Sequence, residues 1–383
     1  SFCPTAEACT ANCALDGVPQ NTWQDTYGVS SSDGALKLSY VTGANVGSRT
    51  YLMADDDHYF LFKLKNKEFA FDIDVSTLPC GLNGAMYLVE MAADGGKAEF
   101  PTNEAGARYG TGYCDAQCPH DMKWISGEAN LPWNGTTDSG KYGTCCAEMD
   151  LWEGNSVSTQ LTVHGCSTEG PHRCDGVECG DNDKGQRYMG VCDKDGCDYN
   201  PYRVGARQFY GPGGGFSLDT SKPLTVVTQF LTDDGTDNGT LVEVRRHYIQ
   251  DGKRVSNPSA SAEYGSYDSI SDKQCAAQKK AFGEFDDFTP KGGLKAMGEA
   301  MERGMVLVLS LWDDASDHMI WLDATDPPPE QGQPPKKGAP RGTCSVASGD
   351  PAATRKAHPH AQVTFGKIRF GALNTTAGPP LPP

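Results

Sequence analysis

Alternation of apolar and polar positions with a period of two runs through most of the chain. It is clearest over residues 36–41, 59–64, 68–75, 85–91, 226–230, 241–249, 305–311 and 362–370. In an extended segment successive side chains point to opposite faces, so each run predicts a short strand with one buried face. The pairs Asp33-Gly34, Asp94-Gly95, Asp234-Gly235 and Asp251-Gly252 separate them, and such pairs tolerate the left-handed backbone of tight turns. Helical spacing is confined to residues 294–303, through Leu294, Met297 and Met301. The pattern predicts an all-β fold, two curved antiparallel sheets stacked as a jelly-roll sandwich whose concave face forms a groove. No internal repeat is visible. One domain is expected over residues 1–376, with the Pro-rich stretch 377–383 as a tail or the start of a linker.

One strand carries chemistry. Residues 145–155 read CCAEMDLWEGN, with Glu148, Asp150 and Glu153 set between Met149, Leu151 and Trp152. Glu148 and Asp150 are two apart and share a face. Glu153 has the wrong parity, and a β-bulge after Asp150 restores it. Carboxylates a few ångströms apart cannot all ionise freely, so at least one pKa rises. A raised acid beside an ionised carboxylate is what glycoside hydrolysis needs: one attacks the anomeric carbon and the other protonates the leaving oxygen. Two plainer readings fit the same spacing, a Ca²⁺ site and a solvated acidic edge strand. The interleaved Met149 and Trp152, and the Cys145-Cys146 pair just upstream, speak against the edge strand. Trp152 itself reads as core.

Composition narrows the classes. A net charge of −17 excludes a nucleic-acid partner, because neutralising phosphates needs an excess of Lys and Arg. No apolar run is long enough to cross a bilayer, so no membrane partner is expected. Fifteen cysteines indicate an oxidising compartment, and Cys114-x3-Cys118 and Cys145-Cys146 lack a zinc-like rhythm of His partners. The odd number leaves one thiol unpaired. Sequons at Asn134, Asn238 and Asn374 fit a secreted glycoprotein. No leader heads the sequence, which reads as a mature or trimmed form.

The acidic stretch after the Cys-Cys pair resembles the signature of glycoside hydrolase family 7, the cellobiohydrolases and endoglucanases. The resemblance extends along almost the whole chain: residues 45–53 (NVGSRTYLM), 78–84 (LPCGLNG), 109–115 (YGTGYCD), 195–203 (DGCDYNPYR), 224–229 (LTVVTQ) and 304–312 (GMVLVLSLW). It implies a concanavalin-like sandwich and retaining hydrolysis of β-1,4-glucosidic bonds without metal or organic cofactor. Glu148 would be the nucleophile, Glu153 the acid/base, and Asp150 a helper hydrogen-bonded to the nucleophile. Gly154 stands where Ala is usual, a change expected to leave the chemistry untouched. The resemblance also implies the pairs Cys3–Cys9, Cys80–Cys344, Cys114–Cys146, Cys118–Cys145, Cys166–Cys192, Cys174–Cys179 and Cys197–Cys275. Cys13 is left over, its partner expected upstream of Ser1 in leading strands that this chain lacks. Ala14 stands where many relatives have a second Cys.

A second layer of residues follows from the same resemblance. His164 is expected on a returning strand near the acid/base. Asn83, Tyr87, Tyr113, Asp115, Gln117 and Lys123 match positions that bond glucosyl hydroxyls. Arg187, Asp195 and Arg341 match positions that hold the product disaccharide, with Asp198 and Arg203 in or beside that region. For any one of these charged residues taken alone, a surface ion pair is the plainer reading. Trp312 and Trp321 offer flat apolar rings for stacking sugars, and the resemblance sets them at subsites on either side of the cleaved bond. Long loops at 179–192 and 323–343 favour a reducing-end cellobiohydrolase, whereas Ala315-Ser316, where relatives carry tyrosines, favours a more open groove and an endoglucanase. A non-catalytic polysaccharide-binding protein or an inactive fragment is the alternative from another class. The expected partners are cellulose and cello-oligosaccharides, bound by a monomer outside the cell.

Overall fold

The computed structural model describes residues 2–131, 139–181, 186–259 and 264–377. The Asn134 sequon and the tail past Ala377 lie outside them.

Two antiparallel sheets dominate. Their strands in chain order are β1 (Val29–Ser32), β2 (Ala35–Ser39), β3 (Ser48–Tyr51), β4 (Leu61–Phe62), β5 (Lys67–Asp74), β6 (Leu82–Val89), β7 (Glu148–Gly154), β8 (Thr159–His164), β9 (Cys197–Tyr199), β10 (Leu224–Thr232), β11 (Leu241–Gln250), β12 (Lys253–Ser256), β13 (Ser269–Ile270), β14 (Met305–Asp313) and β15 (Gln362–Ala372). One sheet has eight strands in the order β1-β2-β15-β5-β10-β11-β12, with β13 against β11. The other has seven in the order β9-β8-β7-β6-β14-β3, with β4 against β14. Between them Phe69, Phe71, Ile73, Val226, Phe230, Val363 and Phe365 meet Met86, Leu88, Met149, Trp152, Leu161, Val163, Leu307 and Leu309. Burying each such side chain stabilises the fold by roughly 1.5–3 kcal/mol.

The period-two runs are all strands or parts of strands, with two adjustments. Run 36–41 breaks at Tyr40 between β2 and a two-residue strand at Val41–Thr42, and run 59–64 pairs only through Leu61–Phe62 and a bridge at Tyr59. Asp33-Gly34 and Asp251-Gly252 close two-residue hairpins, with both residues of each pair at positive φ (52° and 74°, 51° and 73°). Asp94-Gly95 instead sits in a loop, where the Asp94 carboxylate accepts the N–H groups of Gly96 and Ala98.

The helix Gly293–Arg303 buries Leu294, Met297 and Met301 as expected. A second helix, Asp272–Phe282, has no hydrophobic stripe to announce it. Its buried residues are Gln274, Cys275, Gln278 and Lys279, its N-cap is Ser271, and its C-cap is Gly283 at φ 71°. Its inward face is polar because it packs on a buried charge cluster near β9, where Gln278 Nε2 donates to Asp198 Oδ1 at 2.9 Å.

The seven expected disulfides all form, and Cys13 carries a free thiol. Three of them (Cys118–Cys145, Cys166–Cys192 and Cys174–Cys179) pack together in one buried group. Cross-links of this kind typically stabilise by 2–4 kcal/mol each, here by fixing loops above the seven-stranded sheet.

Candidate active site

The register of β7 decides where its acids point. On one side Glu148, Asp150 and Glu153 pair with His164, Thr162 and Gln160; on the other they pair with Val89, Tyr87 and Ala85. Those partners alternate regularly along β8 and β6, so each set lies on a single face. The three acids therefore share that face, and the register shift after Asp150 supplies the extra residue. The opposite face carries Met149 and Trp152 into the intersheet core. Unlike a half-solvated strand, β7 is buried throughout.

Each acid has its own partners. Glu148 Oε2 accepts the Ala116 N–H at 3.0 Å. Asp150 Oδ2 lies 3.1 Å from His164 Nε2, and His164 Nδ1 lies 2.7 Å from the Asp193 carbonyl. Glu153 accepts from Asn83 Nδ2 at 3.0 Å and from Gln160 Nε2 at 2.8 Å. Burial and then Asp150 hold the Glu148 carboxyl well above the usual carboxylate range. The same two causes raise Glu153 to about 8, against the bonds from Gln160 and Asn83. Burial opposes the His164 imidazolium, but the Asp150 bond and charge outweigh it and raise the ring to about 9. At neutral pH His164 is thus a cation that donates to both Asp150 and the Asp193 carbonyl. Through Oδ2 the helper bonds His164. Its effect on Glu148 is through charge, with one oxygen of each acid and a ring nitrogen within 4.8 Å of one another.

Around this cluster the structure assembles some expected residues and reassigns others. Tyr87 and Tyr113 share a hydroxyl contact at 2.9 Å, and Tyr113 donates to Asp115 Oδ2 at 2.6 Å. Gln117 is exposed and donates to the Lys194 carbonyl, while Lys123 is half-buried. Arg187 pairs with Asp195 at 2.8 Å, and Arg341 Nη1 reaches Asp198 Oδ2 at 3.4 Å. Three of the expected residues already hold partners within the protein. Asn83 is fully buried, with its amide bonded to Glu153 and its oxygen accepting the Gly154 N–H. Because that last bond uses backbone, the residue type at 154 does not enter it. Asp198 and Arg203 form a buried ion pair that also takes in Glu284. Trp312 and Trp321 do not stand apart: their rings stack at 5.9 Å, 29° from parallel, as one patch. Trp321 is fixed by Nε1–H donation to Asp314.

Three residues on the acid face were not singled out from the sequence. Arg49 and Tyr51 on β3 pair with Ser310 and Val308, which in turn pair with Ala85 and Tyr87. Arg49 Nε donates to the Tyr51 hydroxyl, and its guanidinium lies 3.7 Å from the centre of the Tyr113 ring. The third is Gln160. Period-two spacing within 45–53 and 159–164 was the available signal, but it does not say which face of a strand meets the groove.

Comparison with known proteins agrees with this geometry. Residues 1–377 match the family model described as Glycosyl hydrolase family 7. The chain is 49% identical to exoglucanase GH7B of Limnoria quadripunctata, over 98% of this chain and 84% of that protein. Among solved structures, a GH7 family cellobiohydrolase from Daphnia pulex superposes with a TM-score of 0.94 at 51% identity, covering 98% of this chain and 86% of its own. An endoglucanase I complexed with cellobiose gives 0.82 at 37%, covering 98% and 85%. With a family match over nearly its whole length and relatives at about half identity, this chain belongs to glycosyl hydrolase family 7.

Proposed function

We propose that the chain is a secreted cellobiohydrolase that cleaves cellulose from reducing ends with retention of configuration and releases cellobiose. The observation that carries the reading is the acid trio on one face of β7, with Glu153 raised to about 8 and gripped by Asn83 and Gln160. An acid with that pKa keeps its proton across neutral pH and can deliver it to a leaving oxygen. In the first step Glu148 attacks the anomeric carbon, the glycosidic C–O bond breaks, and the Glu153 proton passes to the departing oxygen. In the second, Glu153 takes a proton from water, whose oxygen displaces Glu148 at the same carbon. Crowding raises both carboxyls, so they hold protons jointly. A glycosidic oxygen bound against Glu153 fixes the proton there, and the Ala116 N–H favours Glu148 as the carboxylate. The His164 cation paired to Asp150 offsets part of the negative charge that Asp150 places beside Glu148.

Exo action is supported by the closer likeness to an exoglucanase and a cellobiohydrolase, at 49% and 51% identity, than to an endoglucanase at 37%. Secretion is supported by the disulfides, and among the described residues no helix is long and apolar enough to cross a membrane. The deciding assay compares carboxymethylcellulose with crystalline cellulose. Exo action predicts slow viscosity loss on the former and cellobiose as main product from the latter; rapid viscosity loss favours the endoglucanase reading. A Glu148→Gln protein is expected to bind cello-oligosaccharides without turnover. Undiminished turnover removes Glu148 from the mechanism.

A further inference from the structure

Outward from the catalytic cluster, the segment 193–195 packs directly on it: the Asp193 carbonyl meets His164, and the Lys194 carbonyl takes the Gln117 amide. Asp195 at its end accepts from Arg187 Nε at 2.8 Å. Tyr188 stacks on Phe285, with ring centroids 4.4 Å apart and planes 27° from parallel. Phe285 is 54% exposed and the adjoining Met189 64%. Tyr188 is part-buried beneath Phe285, whose exposed face makes a local apolar patch at the surface together with Met189. The base of the platform is held by a buried cation. Glu284, next to Phe285, is ion-paired to the buried Arg203, whose guanidinium lies 4.7 Å from the centre of the Phe282 ring. A flat apolar face with charged hydrogen-bonding groups at its edge suits the C–H face of a pyranose ring and its equatorial hydroxyls.

We propose that the Tyr188–Phe285 pair is an additional sugar platform, which stacks a β-1,4-linked glucosyl ring of the bound chain beyond Arg187 and Asp195. The inference rests on the glucan-hydrolase reading above and adds a site to it. Its contribution is confined to oligosaccharides long enough to reach past Asp195. The test is calorimetric titration of cellobiose through cellohexaose into the Glu148→Gln protein, alone and with Phe285→Ala or Phe285→Trp added. With Phe285→Ala the affinity for the longest oligosaccharides is expected to fall about five-fold while cellobiose is unaffected, and with Phe285→Trp it is expected to rise. The tryptophan variant keeps a ring at the position and guards against a trivial loss of folding. The inference is overturned if the affinities of all three proteins coincide at every length, or if cellobiose weakens as much as cellohexaose. If Glu148→Gln alone binds no cello-oligosaccharide at all, the glucan reading fails and takes the platform with it, a result distinct from coincident curves.

Discussion

Glu68 and Glu153 are both buried glutamates on interior strands of the two stacked sheets, yet their carboxyls go opposite ways. Glu68 lies on β5, facing away from the intersheet core and covered by the 374–376 turn. It accepts four hydrogen bonds, from Gln229 Nε2, the N–H groups of Asn374 and Thr376, and the Thr376 hydroxyl, at 2.6–2.8 Å. Burial pushes its pKa up, but those donors win and hold it below the usual value. Glu153 has two donors, and beside it stands Asp150, a like charge. Burial alone does not make a catalytic acid. The number of donors aimed at the carboxylate, set against the number of negative neighbours, decides whether a buried glutamate is a structural anion or a proton reservoir.

That contrast can be broken at either end. The largest effect is expected from Glu153→Gln, which keeps the side chain's shape and one of the two amide bonds but has no acidic proton to give. Turnover of cellulose should fall about 10²–10⁴-fold with thermal stability retained. Next, Glu68→Ala should leave the chemistry alone and cost the fold about 3 kcal/mol, because the donors that converged on the carboxylate lose their acceptor; denaturant unfolding measures it, and a large change in turnover would contradict the separation. A smaller effect is expected from Gln160→Ala. Its bond favours ionised Glu153, so removing it should move the alkaline limb of the rate profile to higher pH, by about half a unit to one unit. Last, and spread over several pH units, is the dependence of stability on pH. Both Glu153 and His164 are raised on folding, so the folded state binds protons more tightly than the unfolded chain. Their contribution is complete below the unfolded values and is lost as pH rises, for Glu153 from 4.5 through about 8 and for His164 from 6.5 through about 9. The melting temperature should drop by a few degrees between pH 5 and 9, and more gently in Glu153→Gln.

The sequence by itself determined the strands, because period-two alternation is a local property that each segment carries alone. It determined the bulge in β7 as well: three acids at positions 148, 150 and 153 share a face only if one residue is extra, and the register shift lies where that parity demands. The disulfide pairs came through resemblance rather than spacing, since cross-links between residues as distant as Cys80 and Cys344 leave no local trace. What only the tertiary structure decided is which polar group faces which. Asn83, Asp198 and Arg203 entered through resemblance, and only the fold shows that Asn83 bonds Glu153 and that Asp198 bonds Arg203 and Gln278. The helix Asp272–Phe282 went unread because its buried side is glutamine and lysine, matched to a charge cluster assembled from distant segments. Hydrophobic burial is written in a residue's own chemistry. The satisfaction of a buried polar group is written in its partner's position, which folding alone supplies.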